Sequence, residues 1–394
     1  MFEGWLSKKG SVKGMWMRRK VYFDDKSFIL SKDENNQNNE LEIPMKNAVS
    51  ISELDNGSLN VVFMNNQPLI FCSKNETIIK EFQFSFKTIL EQLGITDNYK
   101  IYLFICKIGS GYSSEVYLAQ NTQTNELVVL KTANKNNSSS MKALYVENKI
   151  LNEFKHPMII SKKGVVENSK RYSLCLEYIS GGDLYFWMNR VINRSNEDIL
   201  IIMSELVIAL EFLHSNGIIY RDLKPENILI NSSGHIKLSD FGLSTISETS
   251  TEICGTSSYM APEMIKHQLY SNKVDIWAFG ILLFEINFGY NPFSRDIKEK
   301  TMKAIVEEEL KIPQNFNKDL SELLRNVLKK DPKERFSVQQ IKESAYFKSV
   351  NWEKAANRSL QIKNLPIHDV HLIPSNFNGK YTSEKIDLSQ FSSD

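Results

Sequence analysis

Tyr220-Arg221-Asp222-Leu223-Lys224-Pro225-Glu226-Asn227 decides how this chain is read. An apolar helical pattern, Leu200 to Leu213, precedes it, and a short apolar run, Ile228-Leu229-Ile230, follows. Within it, the Asp222 carboxylate can orient a hydroxyl and accept its proton. The Lys224 ammonium can neutralise charge on a moving phosphoryl group, and Asn227 can hold a metal. After a turn at Ser232-Ser233-Gly234 comes Asp240-Phe241-Gly242, whose carboxylate is a second metal-ligand candidate. An isolated Asp-x-Lys triplet is common in surface loops, so the weight of this stretch depends on its companions.

The companions lie upstream. Gly109-Ser110-Gly111-Tyr112-Ser113-Ser114-Glu115-Val116 sits between two strand patterns, as suits a hairpin lying over phosphates. Gly109 and Gly111 allow close backbone approach. Val128-Val129-Leu130-Lys131 ends a strand on an ammonium. Thr132 to Asn137 reads as a mobile polar loop, and a helical pattern after Ser138-Ser139-Ser140 carries Glu147. Leu174-Cys175-Leu176-Glu177-Tyr178 reads as a last strand and hinge, before Gly181-Gly182-Asp183-Leu184.

With the Asp222 stretch, these motifs resemble a protein kinase. The resemblance implies ATP and Mg²⁺ as cofactors. Lys131 would pair with the α and β phosphates, with Glu147 as its partner. Ile108, Gly109, Gly111 and Val116 would line the nucleotide site. Leu176 would be the gatekeeper, Glu177 part of the hinge and Asp183 close to the ribose. Asp222 and Lys224 would be catalytic, and Asn227 and Asp240 would hold metal. Thr256 would bridge Asp222 and Lys224, which implies serine or threonine acceptors. Asp275 would accept backbone donors of the catalytic loop, and Glu263 would pair with Arg335. Two departures stand out: Tyr220 where His is commoner, and Ser114 in place of a third Gly.

The first hundred residues have a different rhythm. Glu3–Gly10, Trp16–Phe23, Ser27–Ser31, Leu59–Met64 and Leu69–Ser73 read as short strands, and Lys32 to Glu40 as an exposed loop. From Glu76 to Leu93, Ile78, Ile79, Phe82, Phe86, Ile89, Leu90 and Leu93 recur at helical spacing. Lys8, Lys9, Lys13, Arg18, Arg19 and Lys20 crowd the start against a single acid, Glu3. Gly4-Trp5-Leu6 followed by Trp16-x-Arg18-Arg19 resembles a pleckstrin-homology domain. That resemblance implies a phosphoinositide or acidic membrane partner, with Lys8, Lys13, Arg18 and Arg19 as headgroup candidates. The family's helix Trp is missing, and Phe82 or Phe86 is the candidate to fill its space.

The expected class is therefore α+β. A small N-terminal β-barrel with a C-terminal helix (1–96) precedes a bilobal protein kinase fold (102–347) and a C-terminal tail (348–394). This arrangement resembles the protein kinase B family of the AGC group. Leu388-Ser389-Gln390-Phe391-Ser392 resembles a reduced hydrophobic motif, which implies tail docking on the small lobe, a regulatory Ser392 and an upstream kinase as partner. In the activation segment, Glu252 stands where relatives carry a phosphothreonine. Of the three cations that hold that phosphate in relatives, only Arg221 is expected here, because Thr245 and Ala143 occupy the other two positions. Thr251 is the rival regulatory site. Asp183, Glu226 and Glu285 match acids that receive Arg upstream of the acceptor in basophilic relatives.

The bulk figures fit such a protein. Net charge is +1 over 394 residues, which argues against nucleic acid as a partner. Four cysteines without paired spacing suit a reducing compartment. The expectation is a cytoplasmic monomer that acts on protein substrates and is reversibly recruited to the inner face of the plasma membrane. The alternative is a phosphoinositide-binding adaptor with an inactive kinase fold.

Overall fold

The computed structural model describes residues 1–9, 15–32, 39–45, 48–53, 58–63, 69–92, 95–96, 99–110, 114–121, 124–168, 170–191, 194–314 and 316–363. Lys13, Gly111 and Ser392 lie outside the described residues, as does the tail beyond Lys363.

The N-terminal unit is an antiparallel sheet of β1 (Phe2–Lys9), β2 (Trp16–Phe23), β3 (Ser27–Ser31), β4 (Asn39–Pro44), β5 (Ala48–Glu53), β6 (Leu59–Phe63) and β7 (Leu69–Cys72). Its order is β4-β3-β2-β1-β7-β6-β5, so β1 joins the two halves, while β4 and β5 stay unpaired at the edges among the described residues. Strand alternation sends Phe2, Leu6, Val21, Phe23, Phe28 and Phe71 to one face, where all are buried. Helix α1 (Glu76–Gln92) covers that face with Phe82, Phe86 and Ile89. Phe82 and Phe86 stack at 6.0 Å and each meets Phe23 edge-on at 5.2 Å. Two phenyl rings thus fill the space expected for an indole. Sequence reading missed β4 and β5, and placed the start of β4 in a loop. Edge strands rich in polar residues carry little apolar alternation.

Past α1, β8 (Ile95–Thr96) leads to a 3₁₀ turn at Tyr99–Ile101. The small lobe then forms from β9 (Tyr102–Ser110), β10 (Glu115–Asn121), β11 (Leu127–Asn134), α2 (Ser138–Glu153), β12 (Lys162–Glu167) and β13 (Arg171–Glu177). The sheet runs β8-β12-β13-β11-β10-β9, with β8 parallel to β12. Tyr99 is buried against Tyr117, Val128, Leu130 and Val166, and its hydroxyl donates to the Val166 carbonyl at 3.2 Å. The segment entering the lobe is therefore part of its core.

One local expectation is corrected here. Thr132 to Asn137 is not a loop throughout: Thr132 and Ala133 are buried in β11, and the Thr132 hydroxyl pairs with Ser173 at 2.6 Å. The three serines lie inside α2, whose cap is the Asn137 side chain accepting from the Ser140 amide at 3.1 Å. Composition suggests a loop, but strand pairing satisfies the polar groups.

The large lobe contains α3 (Leu184–Arg190), α4 (Asn196–Ser215), β14 (Ile218–Ile219), β15 (Ile228–Ile230), β16 (Ile236–Leu238), β17 (Thr245–Ile246), α5 (Pro262–Ile265), α6 (Lys273–Phe288), α7 (Lys298–Glu307), α8 (Lys318–Val327), α9 (Val338–Lys342) and α10 (Trp352–Ala356). Helices α4 and α6 are apolar on nearly every side and form the lobe's centre. β15 pairs with β16 and β14 with β17, framing the loop from Tyr220 to Asn227. Beyond α10 the chain returns across the large lobe: Ile362 is buried and the Lys363 amide donates to Asp198 at 2.8 Å. Among the described residues, no helix is long and apolar enough to cross a membrane.

Candidate active site

The site lies where the two lobes meet. In α2, Met141, Leu144, Asn148 and Leu151 are buried at helical spacing, and Glu147 shares their face. Its carboxylate meets the Lys131 ammonium at 2.6 Å. Lys131 also reaches Asp240 Oδ1 at 2.8 Å. Burial alone would lower the Lys131 pKa, but the two carboxylates outweigh it and hold the ammonium charged. Asp240 responds in the opposite sense: burial opposes its charge, yet Lys131 keeps the carboxyl below its usual range. Glu147 further accepts from the Phe241 amide at 3.3 Å, and the Phe241 ring packs edge-on against Tyr220 at 5.2 Å. The small-lobe helix, the β11 lysine and the Asp-Phe-Gly segment thus form one connected unit.

Arg221 and Asp240 both adopt left-handed backbone, with φ of 71° and 56°. Such strain costs about 1–3 kcal/mol per residue and needs support. Asp275 supplies it for the first, accepting from the Tyr220 amide at 3.0 Å and the Arg221 amide at 2.9 Å while pairing with His214 at 2.9 Å. Tyr220 supports the second. Its hydroxyl donates to the Ser239 carbonyl, directly before Asp240. This is what a tyrosine contributes where a histidine is commoner.

Asp222 is held by four donors. Its Oδ2 accepts from Lys224 Nζ at 2.8 Å and Asn227 Nδ2 at 3.0 Å. Its Oδ1 accepts from the Thr256 amide at 3.0 Å and the Thr256 hydroxyl at 2.9 Å. Lys224 also donates to that hydroxyl at 3.0 Å, so Thr256 bridges the two as expected. The close approach depends on Gly255, at φ 92°, where a Cβ would lie 2.4 Å from the Arg221 carbonyl oxygen.

A cleft of about 670 Å³ opens here, lined in part by Ser114, Lys131, Asp222, Lys224, Asp240 and Thr256. Of the expected nucleotide contacts, Leu176 is buried in β13, and Ile108 and Val116 are half-buried on the paired strands β9 and β10; none of the three lines this cleft. The Glu177 carboxylate is committed to Lys237 at 2.7 Å and the Ser161 amide at 2.7 Å. Asp183 caps α3, accepting from the Phe186 amide at 2.7 Å. Among the described residues no group of three or more His, Cys, Asp or Glu is arranged to hold a metal. The oxygen donors Asn227 and Asp240 nevertheless suit Mg²⁺, which takes one or two protein oxygens and completes its shell with water and phosphate.

The activation segment meets the same loop. Arg221 Nη1 lies 3.1 Å from Glu252 Oε2 and donates to Ser250 Oγ and the Tyr270 hydroxyl, each at 3.2 Å. Sequence reading left Glu252 a single cation. The structure adds Lys142 of α2, 3.9 Å from Glu252 Oε1. It was missed because it stands one residue before the position expected to matter, Ala143. Further along, Glu285 accepts from the Tyr259 hydroxyl, and burial raises its pKa, with Glu226 adding to the rise. Glu226 Oε2 is buried with no hydrogen-bond partner among the described residues. Glu263 and Arg335 form the expected pair, with two contacts of 2.7 and 2.9 Å, both side chains buried.

Lys8, Arg18 and Arg19 do not share one face. Lys8 and Arg19 lie on the inner face of the barrel sheet, in line with Leu6 and Val21, and both pair with Glu40. Arg18 lies on the outer face, 4.7 Å above the Trp5 ring.

Comparison with known proteins agrees with this geometry. The protein kinase domain family matches residues 102–347. The chain is 34% identical over 263 residues to cAMP-dependent protein kinase type 3 of Saccharomyces cerevisiae, covering 64% of this chain and 66% of that one. It is 35% identical over 260 residues to the cAMP-dependent protein kinase catalytic subunit of Dictyostelium discoideum, covering 64% and 40%. With the eye isozyme of protein kinase C from Drosophila melanogaster it shares 34% over 300 residues, covering 73% and 43%. The chain thus spans less than two thirds of the length of these relatives. Its kinase domain is AGC-like, and its N-terminal unit has a pleckstrin-homology-like form. The chain belongs to the protein kinase family.

Proposed function

We propose that this chain transfers the γ-phosphate of ATP to serine and threonine hydroxyls of proteins, with its N-terminal unit (1–96) directing the kinase domain (102–347) to phosphoinositide-bearing or acidic membrane. The observation that carries the proposal is the joined set of Lys131, Glu147 and Asp240 facing Asp222, Lys224 and Thr256 across one cleft. Asp222 orients the acceptor hydroxyl and takes its proton. Lys224 lies within reach of the transferred group, and Lys131 pairs with the α and β phosphates. Gly109, Gly111, Ile108, Val116, Leu176 and the backbone of the Glu177 hinge frame the nucleotide. Asn227 and Asp240 would hold Mg²⁺, which neutralises phosphate charge as transfer proceeds. Asp183 turns to the ribose with whatever its cap leaves free.

The preferred substrates carry Arg upstream of the acceptor. Glu226 and Glu285 support this, since a guanidinium would satisfy the orphan carboxylate oxygen and offset the burial, and the lesser Glu226 repulsion, that raise Glu285. The test is a peptide series assayed with the full chain. Peptides with Arg at the third residue before the acceptor should be preferred by about tenfold or more over Ala peptides, as one lost charge-assisted contact predicts. Equal rates would remove the assignment.

Glu252 does the work of a phosphate in this reading. One carboxylate needs fewer cations than a phosphate carrying about −1.5 to −2 charges, and Arg221 with Lys142 matches that need. Phosphatase-treated chain should therefore be active, and Glu252→Ala should cost roughly tenfold, the scale of a charge-assisted hydrogen bond. Thr251→Ala should change little. If treated chain keeps below about a tenth of its activity and Thr251 phosphorylation restores it, Glu252 is not the ordering group. The tail (348–394), with Ser392, is assigned to docking on the small lobe and to an upstream kinase, and the cellular place to the cytoplasm and inner plasma membrane. The arrangement as a whole is that of the protein kinase B family.

A further inference from the structure

Two of the candidate headgroup residues already hold an anion from their own chain. Lys8 and Arg19 sit one step beyond Leu6 and Val21 on the inner face of β1 and β2, at the mouth of the barrel. Their side chains are only 15% and 12% exposed, so neither is a freely solvated surface cation. Glu40 lies between them, its Oε1 3.2 Å from Lys8 Nζ and its Oε2 accepting from Arg19 Nε. The two cations together hold the Glu40 carboxyl below its usual range against the opposing effect of burial.

The backbone explains how an acid on β4 comes to point there. Leu41 and Ile43 pair with Leu30 and Phe28 and share their inward side, while Glu42 opposite Ile29 is exposed. Strict alternation would turn Glu40 outward with Glu42. The β3–β4 register instead slips between Leu30 and Ser31, whose partners are Leu41 and Asn39. Glu40 is the extra residue of this β-bulge, a device that re-aims one side chain. Of the other N-terminal cations, Lys20 pairs with Glu3 at 2.6 Å and Arg18 covers Trp5.

We infer that Glu40 is an internal stand-in for a phosphomonoester, occupying the Lys8–Arg19 pair until a phosphate on a ligand displaces it. The inference rests on the anionic-ligand reading of the N-terminal unit and deepens it. A phosphomonoester carries more charge and more acceptor oxygens than a carboxylate and so can win the exchange. A singly charged phosphodiester lipid gains much less. Glu40 thus sets both the affinity and the threshold for multiply phosphorylated ligands. The ligand phosphate could belong to a lipid headgroup or to a soluble inositol phosphate.

The experiment uses the full chain and its Glu40→Gln variant, with Glu42→Gln as a control that makes the same charge change on the same strand. Binding is measured to phosphatidylcholine vesicles doped with phosphatidylinositol trisphosphate, to vesicles doped with phosphatidylserine, and to soluble inositol tetrakisphosphate. Glu40→Gln should tighten binding to the trisphosphate vesicles roughly tenfold, the size of two partly exposed ion pairs no longer competing. Glu42→Gln should stay within about twofold, and adding Lys8→Ala to Glu40→Gln should abolish the gain. A gain with inositol tetrakisphosphate alone keeps the site and assigns it to a soluble phosphate. An equal gain on phosphatidylserine vesicles, or an equal gain from Glu42→Gln, overturns the inference, because net charge would then suffice. If wild type binds and Glu40→Gln binds equally or more weakly, the stand-in role falls while the anionic-ligand reading survives. If neither protein binds any anion, both fall. Equal melting temperatures of the two variants show that the comparison is between folded proteins.

Discussion

Asp222→Ala should lower phosphate transfer about 10²–10⁴-fold, the range for removing a positioned acid–base group, while leaving nucleotide binding nearly intact. The loss has two parts. The hydroxyl acceptor loses the carboxylate that orients it and takes its proton. The loop also loses the hub that gathers Lys224, Asn227 and Thr256. Asp222→Asn impairs both. A carboxamide keeps one oxygen but puts an NH₂ group against either Lys224 and Asn227 or the two Thr256 donors. It should therefore be nearly as inactive as Ala. ATP-dependent thermal stabilisation is the readout that completes the test, because the Lys131–Glu147–Asp240 unit does not touch Asp222 through any contact described above. A variant that loses ATP stabilisation along with activity would show that Asp222 acts by holding the nucleotide site together.

Arg335→Ala should cost about 3–5 kcal/mol of stability, as expected when one partner of a buried ion pair is removed. Glu263 would be left as a buried carboxylate. The Lys273 carbonyl, to which Arg335 donates at 2.7 Å, would lose that donor. The guanidinium also lies 5.2 Å over the Trp277 ring, so packing is lost with charge. Arg335→Lys should recover only part, since an ammonium cannot form the two-pronged contact to Glu263. The double variant Glu263→Gln/Arg335→Met should be less damaging than Arg335→Ala, because no uncompensated charge stays buried. Urea unfolding of these variants and the wild type checks this; a double variant that loses as much stability as Arg335→Ala would show that the buried charge left behind is not what costs.

The catalytic parts were legible in the sequence because each is local. The spacing of Asp222, Lys224 and Asn227 fits one loop between β14 and β15, and Glu147 lies in a helical pattern with Leu144 and Leu151. Resemblance then carried the long-range pairs Lys131–Glu147, Glu263–Arg335 and Arg221–Glu252, none of which composition alone could join. The polar run after Lys131 misled. Thr132 is buried because a strand partner, Ser173, meets its hydroxyl, and no local signal announces a partner that far along the chain.

By itself the sequence determined the class of the fold, the order of its units and the polar residues Lys131, Asp222, Lys224 and Asp240 of the cleft, since these rest on periodicity, short spacing and resemblance. Only the tertiary structure decided which face each N-terminal cation uses, that Lys142 reaches Glu252, and that a bulge turns Glu40 onto Lys8 and Arg19. Those outcomes depend on strand register and on helix placement across dozens of residues. A one-residue slip in a strand reverses its side chains, and one in a helix swings them round by about 100°.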